Sequence, residues 1–262
     1  MYRATIKRRL LPWQLGLLAV VLLLWYVLTE TGVLSPFFFG RPLAVATQLV
    51  DWFGSASIFA HLGVTLLETL LAFVAGTLLG VGIGLWLGLS PFAAALLDPY
   101  IKAVNAMPRV VLAPIFAMWF GLGIWSKVLL GVTLVFFIVF FNVYQGVKDV
   151  NPVIVDNARM LGASRRQLLR FVYWPSALSW VFSSLHTAVG MAFVGAVVGE
   201  YLGSAKGVGY LILQAEGSFD INAVLAGIVV LTVCALLLDH AVSRVERRLL
   251  RWRPGQRESG SY

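Results

Sequence analysis

Residues 62–90 read LGVTLLETLLAFVAGTLLGVGIGLWLGLS, a stretch with a single charged residue, Glu68. A run of that length and apolarity is what a helix needs to cross ~30 Å of hydrocarbon. Its glycines add a second signal. Gly76, Gly80, Gly84 and Gly88 recur every four residues and share one slowly drifting helical face. Such faces let backbones approach closely, which is how helices associate where lipid removes the hydrophobic driving force. The whole chain agrees with this reading. Of its 262 residues, 60% are hydrophobic and 12% charged, against about 45–50% and about 25% in a soluble domain. A soluble fold of this size could not hide 17 Phe, 9 Trp and 8 Tyr. The chain is therefore expected to be an all-α, polytopic membrane protein. Soluble enzymes, secreted disulfide scaffolds and disordered chains are excluded. The single Cys234 admits no intrachain disulfide and no cysteine-based metal site.

Six transmembrane helices are expected, near 12–29, 62–90, 96–120, 128–147, 175–199 and 222–243. They are continuous apolar runs, unlike the alternating ~10-residue segments of a membrane barrel. Lys7, Arg8 and Arg9 before the first run resemble the start of a signal peptide. That run is too long for one, and Trp25-Tyr26 ahead of Glu30 offers no small-residue cleavage site, so it reads as a retained anchor. Placing both termini in the cytoplasm puts most of the 20 basic residues inside, and only Arg41, Lys127 and Lys206 in outside segments. The positive-inside rule selects that orientation. Beside a span, the Arg-rich tail reads as topology and contact with membrane lipids, not as nucleic-acid binding.

The fifth run carries small residues as well. Ala188, Ala192 and Ala196 form one row, and Gly195, Gly199 and Gly203 another. The third run differs, because Pro99, Pro108 and Pro114 fall in or near one expected helix, with Asn105, Met107 and Arg109 among them. Each interior proline removes a backbone hydrogen bond and kinks the helix. In lipid the freed carbonyls need partners, so a broken helix belongs against protein or a wet cavity. Arg109 would lie near the middle of the membrane, where a charge costs ~2.5–3.5 kcal/mol on insertion scales. Two readings are open. Arg109 either lines a route across the membrane or forms a buried clamp with Glu68, Asp98 or backbone carbonyls. A lone intramembrane His186 is expected to hydrogen-bond a neighbouring helix.

The longest inside loop, 148–175, is the most structured. Asn151-Pro152 reads as an N-cap followed by proline at the first helical position. The helix Pro152–Leu161 then stops at Gly162. Ser164 and Gln167 form a capping-box pattern opening a second helix, Arg165–Tyr173, that ends before Pro175. Val155, Ala158 and Leu161 are expected on one face of the first helix. That face suits a groove on another protein, and the neighbouring arginines also suit an interfacial helix on lipid.

The stretch Asp156-Asn157-Ala158-Arg159-Met160-Leu161-Gly162, followed after nine residues by Val172-Tyr173-Trp174-Pro175, resembles the E-A-A-x-x-x-G-x9-I-x-L-P signature of ABC importer permeases. Asp156 stands for Glu, Asn157 for the first Ala, and Val172 and Trp174 for Ile and Leu. The acid, Ala158, the turn and Pro175 keep their places. Pro114-Ile115, Trp119-Phe120-Gly121-Leu122-Gly123 and Ser126-Lys127 are similar to the nitrate/sulfonate/taurine importer group. So are Gly199-Glu200-Tyr201-Leu202-Gly203-Ser204 and Gly207-Val208-Gly209-Tyr210-Leu211-Ile212.

The resemblance implies a type I importer permease fold in the bacterial inner membrane. On this reading 1–60 hold the basic N-terminus, first helix and periplasmic loop, 61–245 a five-helix permease core, and 246–262 a basic cytoplasmic tail. It also implies a second copy of the permease as a homodimer, two cytoplasmic ATPases that bind ATP and Mg, and a periplasmic or lipid-anchored binding protein. ATPase coupling would fall to Val155, Asp156, Ala158, Leu161, Gly162 and Pro175, and the pathway to Asn105, Met107, Pro108, Arg109 and Pro114. Helix packing would fall to Gly76, Gly80, Gly84, Gly88, Gly195 and Gly199. No catalytic residue, metal site or cofactor is expected in this chain. It has no G-x-x-x-x-G-K-[ST] to cradle ATP, no H-E-x-x-H and no G-x-S-x-G. The expected cargo is a small anion of the nitrate, sulfonate or taurine kind. The alternatives are a heterocyclic precursor such as a pyrimidine, or an ion-coupled secondary transporter. Against the last stands the lack of an internal inverted repeat.

Overall fold

The computed structural model describes residues 2–249, so the tail from residue 250 onward lies outside the described residues. Twelve α-helices follow in order: α1 Tyr2–Glu30, α2 Pro36–Phe39, α3 Pro42–Gly54, α4 Ser57–Leu89, α5 Pro91–Ala106, α6 Leu112–Phe120, α7 Ile124–Lys148, α8 Pro152–Met160, α9 Arg165–Leu168, α10 Trp174–Leu202, α11 Val208–Gly217 and α12 Ile221–Leu249. A 3₁₀ turn, Arg109–Val111, joins α5 to α6, and a π turn, Leu169–Tyr173, joins α9 to α10. Five helical stretches are long and apolar enough to cross a membrane unbroken, and α5 with α6 forms a further stretch bent by 76°.

The glycine stripe of α4 meets a valine stripe on α7. An added Cβ at Gly76, Gly80, Gly84 or Gly88 would come 2.7 to 2.9 Å from the Cβ of Val135, Val139, Val143 or Val147, and one at Gly131 would come 2.5 Å from that of Ala72. The separation along the chain is the same in all five pairs, so α4 and α7 run parallel in one unbroken register. α10 packs the opposite way. Gly195 lies on Gly131, Gly199 on Lys127 and Trp180 on Gly146, positions that rise on one helix as they fall on the other. Missing side chains bring the three backbones together, and the buried core is made largely of Val and Ala from this trio.

Because α4 and α7 are parallel, the chain between Leu89 and Ile124 must return to the end where α4 began. α5, ~24 Å long at 1.5 Å per residue, and α6 make that return as a sixth crossing. The sequence suggested one kinked helix over 96–120; the structure breaks it at Met107-Pro108. Proline disfavours α geometry in the residue before it, and Met107 is extended at φ −71°, ψ 134°. Pro114 sits in the first turn of α6, where a missing N–H costs little. The short helices α3 and α11 pack with α12 around Ile58, Val208 and Val230, forming a second small core at the start of α4.

Candidate functional site

Three places gather groups that can act on a solute or a partner. The first is the break between α5 and α6. Arg109 folds back there, donating from Nη2 to the carbonyl of Asn105 at 3.3 Å and to the Asn105 side-chain oxygen. Its guanidinium carbon lies 4.5 Å from the centre of the Phe137 ring. Neither expected carboxylate meets it: Asp98 pairs with Lys102 at 2.6 Å, and Glu68 has Glu200 and Lys127 as its charged neighbours. A clamp between Arg109 and Glu68 or Asp98 is therefore not formed, because the bend turns the guanidinium toward α7 instead. Asn105, Met107, Pro108 and Pro114 are exposed, and Arg109 is half-buried.

The second place is the loop after α7. Asn151 caps α8, its side chain accepting from the Val153 N–H at 2.9 Å. Gly162 follows α8 with φ +84°, a left-handed turn with open space around it. The Ser164–Gln167 capping box is formed in both directions. Two details differ from the sequence reading. Val155 is 6% exposed, while Leu161, past the end of α8, is 89% exposed, so Val155, Ala158 and Leu161 do not share an open face. With Val155 covered, Val153, Ile154, Met160 and Leu161 are the exposed apolar residues of this segment. Nor does Pro175 end the helix. The chain runs on through the π turn into α10, with the Trp174 N–H donating to the Leu169 carbonyl. The wider turn takes up the backbone that a proline would disrupt in a tight α turn.

The third place was not apparent from the sequence. Glu68 on α4, Lys127 on α7 and Glu200 on α10 form one buried layer, each at most 1% exposed. Lys127 Nζ donates to the carbonyls of Leu122 at 2.6 Å and Gly123 at 3.0 Å. Glu200 accepts from the Thr65 hydroxyl at 2.7 Å and the Gly209 N–H at 2.8 Å, while Thr65 Oγ1 accepts from the Val208 N–H at 3.0 Å. A Cβ at Gly207 would collide with the Glu200 carboxyl, and Gly207 holds φ +109°. Only glycine lets the strap before α11 wrap so closely. In the sequence Lys127 reads as a charge in an outside segment, and Glu200 stands out only within the Gly199–Ser204 motif. The available signal was the register itself: Glu68 stands two turns before Gly76, as Lys127 stands two turns before Val135.

His186 bridges to α12, its Nε2 2.8 Å from Ser243 Oγ and its Nδ1 3.0 Å from Glu246 Oε2. Among the described residues, no three His, Cys, Asp or Glu side chains gather as a metal site.

The family model described as "Binding-protein-dependent transport system inner membrane component" matches residues 76–251. A Bacillus subtilis protein named as the aliphatic sulfonates transport permease SsuC is 33% identical over 94% of this chain and 90% of its own length. The Escherichia coli taurine transport system permease TauC is 33% identical over 91% of this chain and 88% of its own. The formylaminopyrimidine transport permease ThiX of Halalkalibacterium halodurans is 32% identical over 85% and 88%. An inward-facing structure of the MetNI methionine ABC transporter has a chain that aligns with TM-score 0.62 at 17% identity, over 72% of this chain and 94% of that one. A crystal structure of an amino acid ABC transporter with histidines aligns with TM-score 0.62 at 20% identity, over 76% and 98%. At that identity the two structures show a shared fold and nothing finer.

Proposed function

Because the chain belongs to the family of binding-protein-dependent transport system inner membrane components, we propose that it carries a small sulfonate-like anion across the inner membrane within an ATP-driven importer. It is an ABC importer permease, a multi-pass and non-catalytic membrane subunit. Identity with the sulfonate and taurine permeases over nine-tenths of the chain carries the choice of cargo.

Two copies would assemble with two cytoplasmic ATPases, which hold ATP and Mg, and with a periplasmic or lipid-anchored binding protein that selects the solute. Residues 61–245 would form the permease core. Both termini would lie in the cytoplasm, which puts α8 and Gly162 on the ATPase side. There the exposed Val153, Ile154, Met160 and Leu161 suit an apolar groove, and the left-handed turn at Gly162 fixes their angle to the bundle. The return crossing α5–α6 would line the route. Its break leaves Asn105, Met107 and Pro108 uncovered beside a guanidinium already held by Asn105. A paired copy would double that positive charge, attracting an anion without enclosing it. A second reading, a formylaminopyrimidine-like cargo, is supported by the 32% identity with ThiX.

Proteoliposomes holding the permease, its cognate ATPase and its binding protein test both readings. ATP-dependent uptake of taurine or an alkanesulfonate is the expected result. Uptake of a formylaminopyrimidine alone would move the assignment to the second reading. Uptake of neither, with binding protein shown to hold its solute, would overturn both.

A further inference from the structure

Beside α8, at the end of the bundle where α4 finishes, lies a cavity of about 400 Å³. That is within the ~300–1,000 Å³ of small-molecule sites. Arg159, Arg165 and Arg166 reach it from the loop, and Leu89, Leu169 and Tyr173 supply apolar wall. Leu89 is the last residue of a membrane-crossing helix, and Leu169 and Tyr173 are the first and last residues of the π turn. Among the described residues Arg159 alone of the three arginines meets a carboxylate, Asp156 at 3.6 Å, and both side chains are largely exposed. Among the described residues, Arg165 and Arg166 form no ion pair.

Guanidinium groups present planar forked donors that match the oxygens of a phosphate two at a time. Three of them around one cavity leave a net positive charge that a single Asp156 does not cancel. We propose that this cavity binds a phosphate group, and that the group belongs to an anionic phospholipid. The walls decide the source. A free phosphate has no use for Leu89, Leu169 and the Tyr173 ring, whereas a lipid places its glycerol and first methylenes there. The cavity also adjoins the end of a crossing helix, the depth at which headgroup phosphates lie, and basic pockets between membrane helices bind such headgroups.

The test uses the full-length permease in detergent, with bound lipid counted by native mass spectrometry during titration with dioleoylphosphatidylglycerol and, separately, with the zwitterionic phosphatidylcholine. Wild type should hold phosphatidylglycerol about tenfold more tightly than the Arg165→Gln/Arg166→Gln variant, as expected for the loss of charge-assisted hydrogen bonds. The Arg165→Lys/Arg166→Lys variant keeps the charge and loses the fork, so it should also weaken binding several-fold. Both residues are exposed, so size-exclusion profiles should match wild type.

Equal retention by wild type and the Gln variant overturns the proposal. So does a Lys variant that binds like wild type, because diffuse attraction would then suffice. No preference over phosphatidylcholine overturns it as well. Displacement of the lipid by millimolar inorganic phosphate would retain the phosphate site and overturn its assignment to lipid.

Discussion

The α4–α7 seam and the α5–α6 return are both apolar crossings, yet they end in opposite conditions. In the seam, glycine faces valine at every fourth residue from Gly76 to Gly88, and the two stripes bury each other within one chain. In the return, a proline breaks the helix, a charged side chain occupies the break, and the flanking residues stay open. A constant offset between small and branched residues lets a parallel pair close on itself. A break spoils any such offset, so the return meets α7 mainly through Arg109 and α6, and α5 buries no residue of its own. The layer of Glu68, Lys127 and Glu200 stands between these cases. It continues the seam's register but is polar, with Lys127 held by the Leu122 and Gly123 carbonyls and Glu200 by Thr65 and the glycine strap before α11.

That polar layer offers the largest expected effect. Lys127→Met leaves the Leu122 and Gly123 carbonyls without their donor and takes the neighbouring cation from Glu68 and Glu200, and should destabilise the fold by about 3–5 kcal/mol. Thermal unfolding in detergent would record the loss, and adding Glu68→Gln should restore part of it. An unchanged melting temperature in the single variant would mean that the layer does not join the three helices.

The seam comes next. Gly80→Leu drives a side chain into Val139 and the Phe136 carbonyl, which a Cβ at that position already approaches at 2.8 and 3.0 Å. Overpacking of this kind should cost about 3 kcal/mol and appear as aggregation on size exclusion. Gly82→Leu, where a Cβ meets nothing within 4 Å, should elute as wild type. Similar behaviour of the two variants would place the close face of α4 elsewhere.

A smaller effect is expected at the α8 turn. Gly162 has open space but φ +84°, so Gly162→Val strains the backbone alone, at about 1–2 kcal/mol. Folding should survive while substrate-stimulated ATP hydrolysis by the assembled importer falls. Full stimulation in this variant would remove α8 from the coupling route.

The smallest change in stability belongs to the break. Arg109→Gln gives up one cation–π contact, worth about 0.5–1 kcal/mol, and exposed hydrogen bonds to Asn105 for which water can substitute, with assembly intact. Anion uptake should nevertheless drop, since the guanidinium is the one cation at the break. Normal uptake would return Arg109 to a purely structural role.

Much of this was written locally. A run of apolar residues must cross the bilayer because its backbone can be satisfied only as a helix there, so six crossings could be read from hydropathy. The Asn151 cap, the Gly162 turn and the Ser164–Gln167 box depend on neighbours within a few residues, and each stands where the sequence put it. Periodicity likewise fixed which residues of α4 share a face.

It did not fix what that face would meet. The valines of α7 and the parallel sense of the pair depend on segments tens of residues away. Lys127 shows the difference most sharply. In the sequence it is a cation beside a glycine-rich loop, and in the structure it is 1% exposed, held by two backbone carbonyls with Glu68 and Glu200 as charged neighbours. A helical repeat determines direction around one axis, whereas burial of a charge is decided by the groups that other helices bring to the same depth.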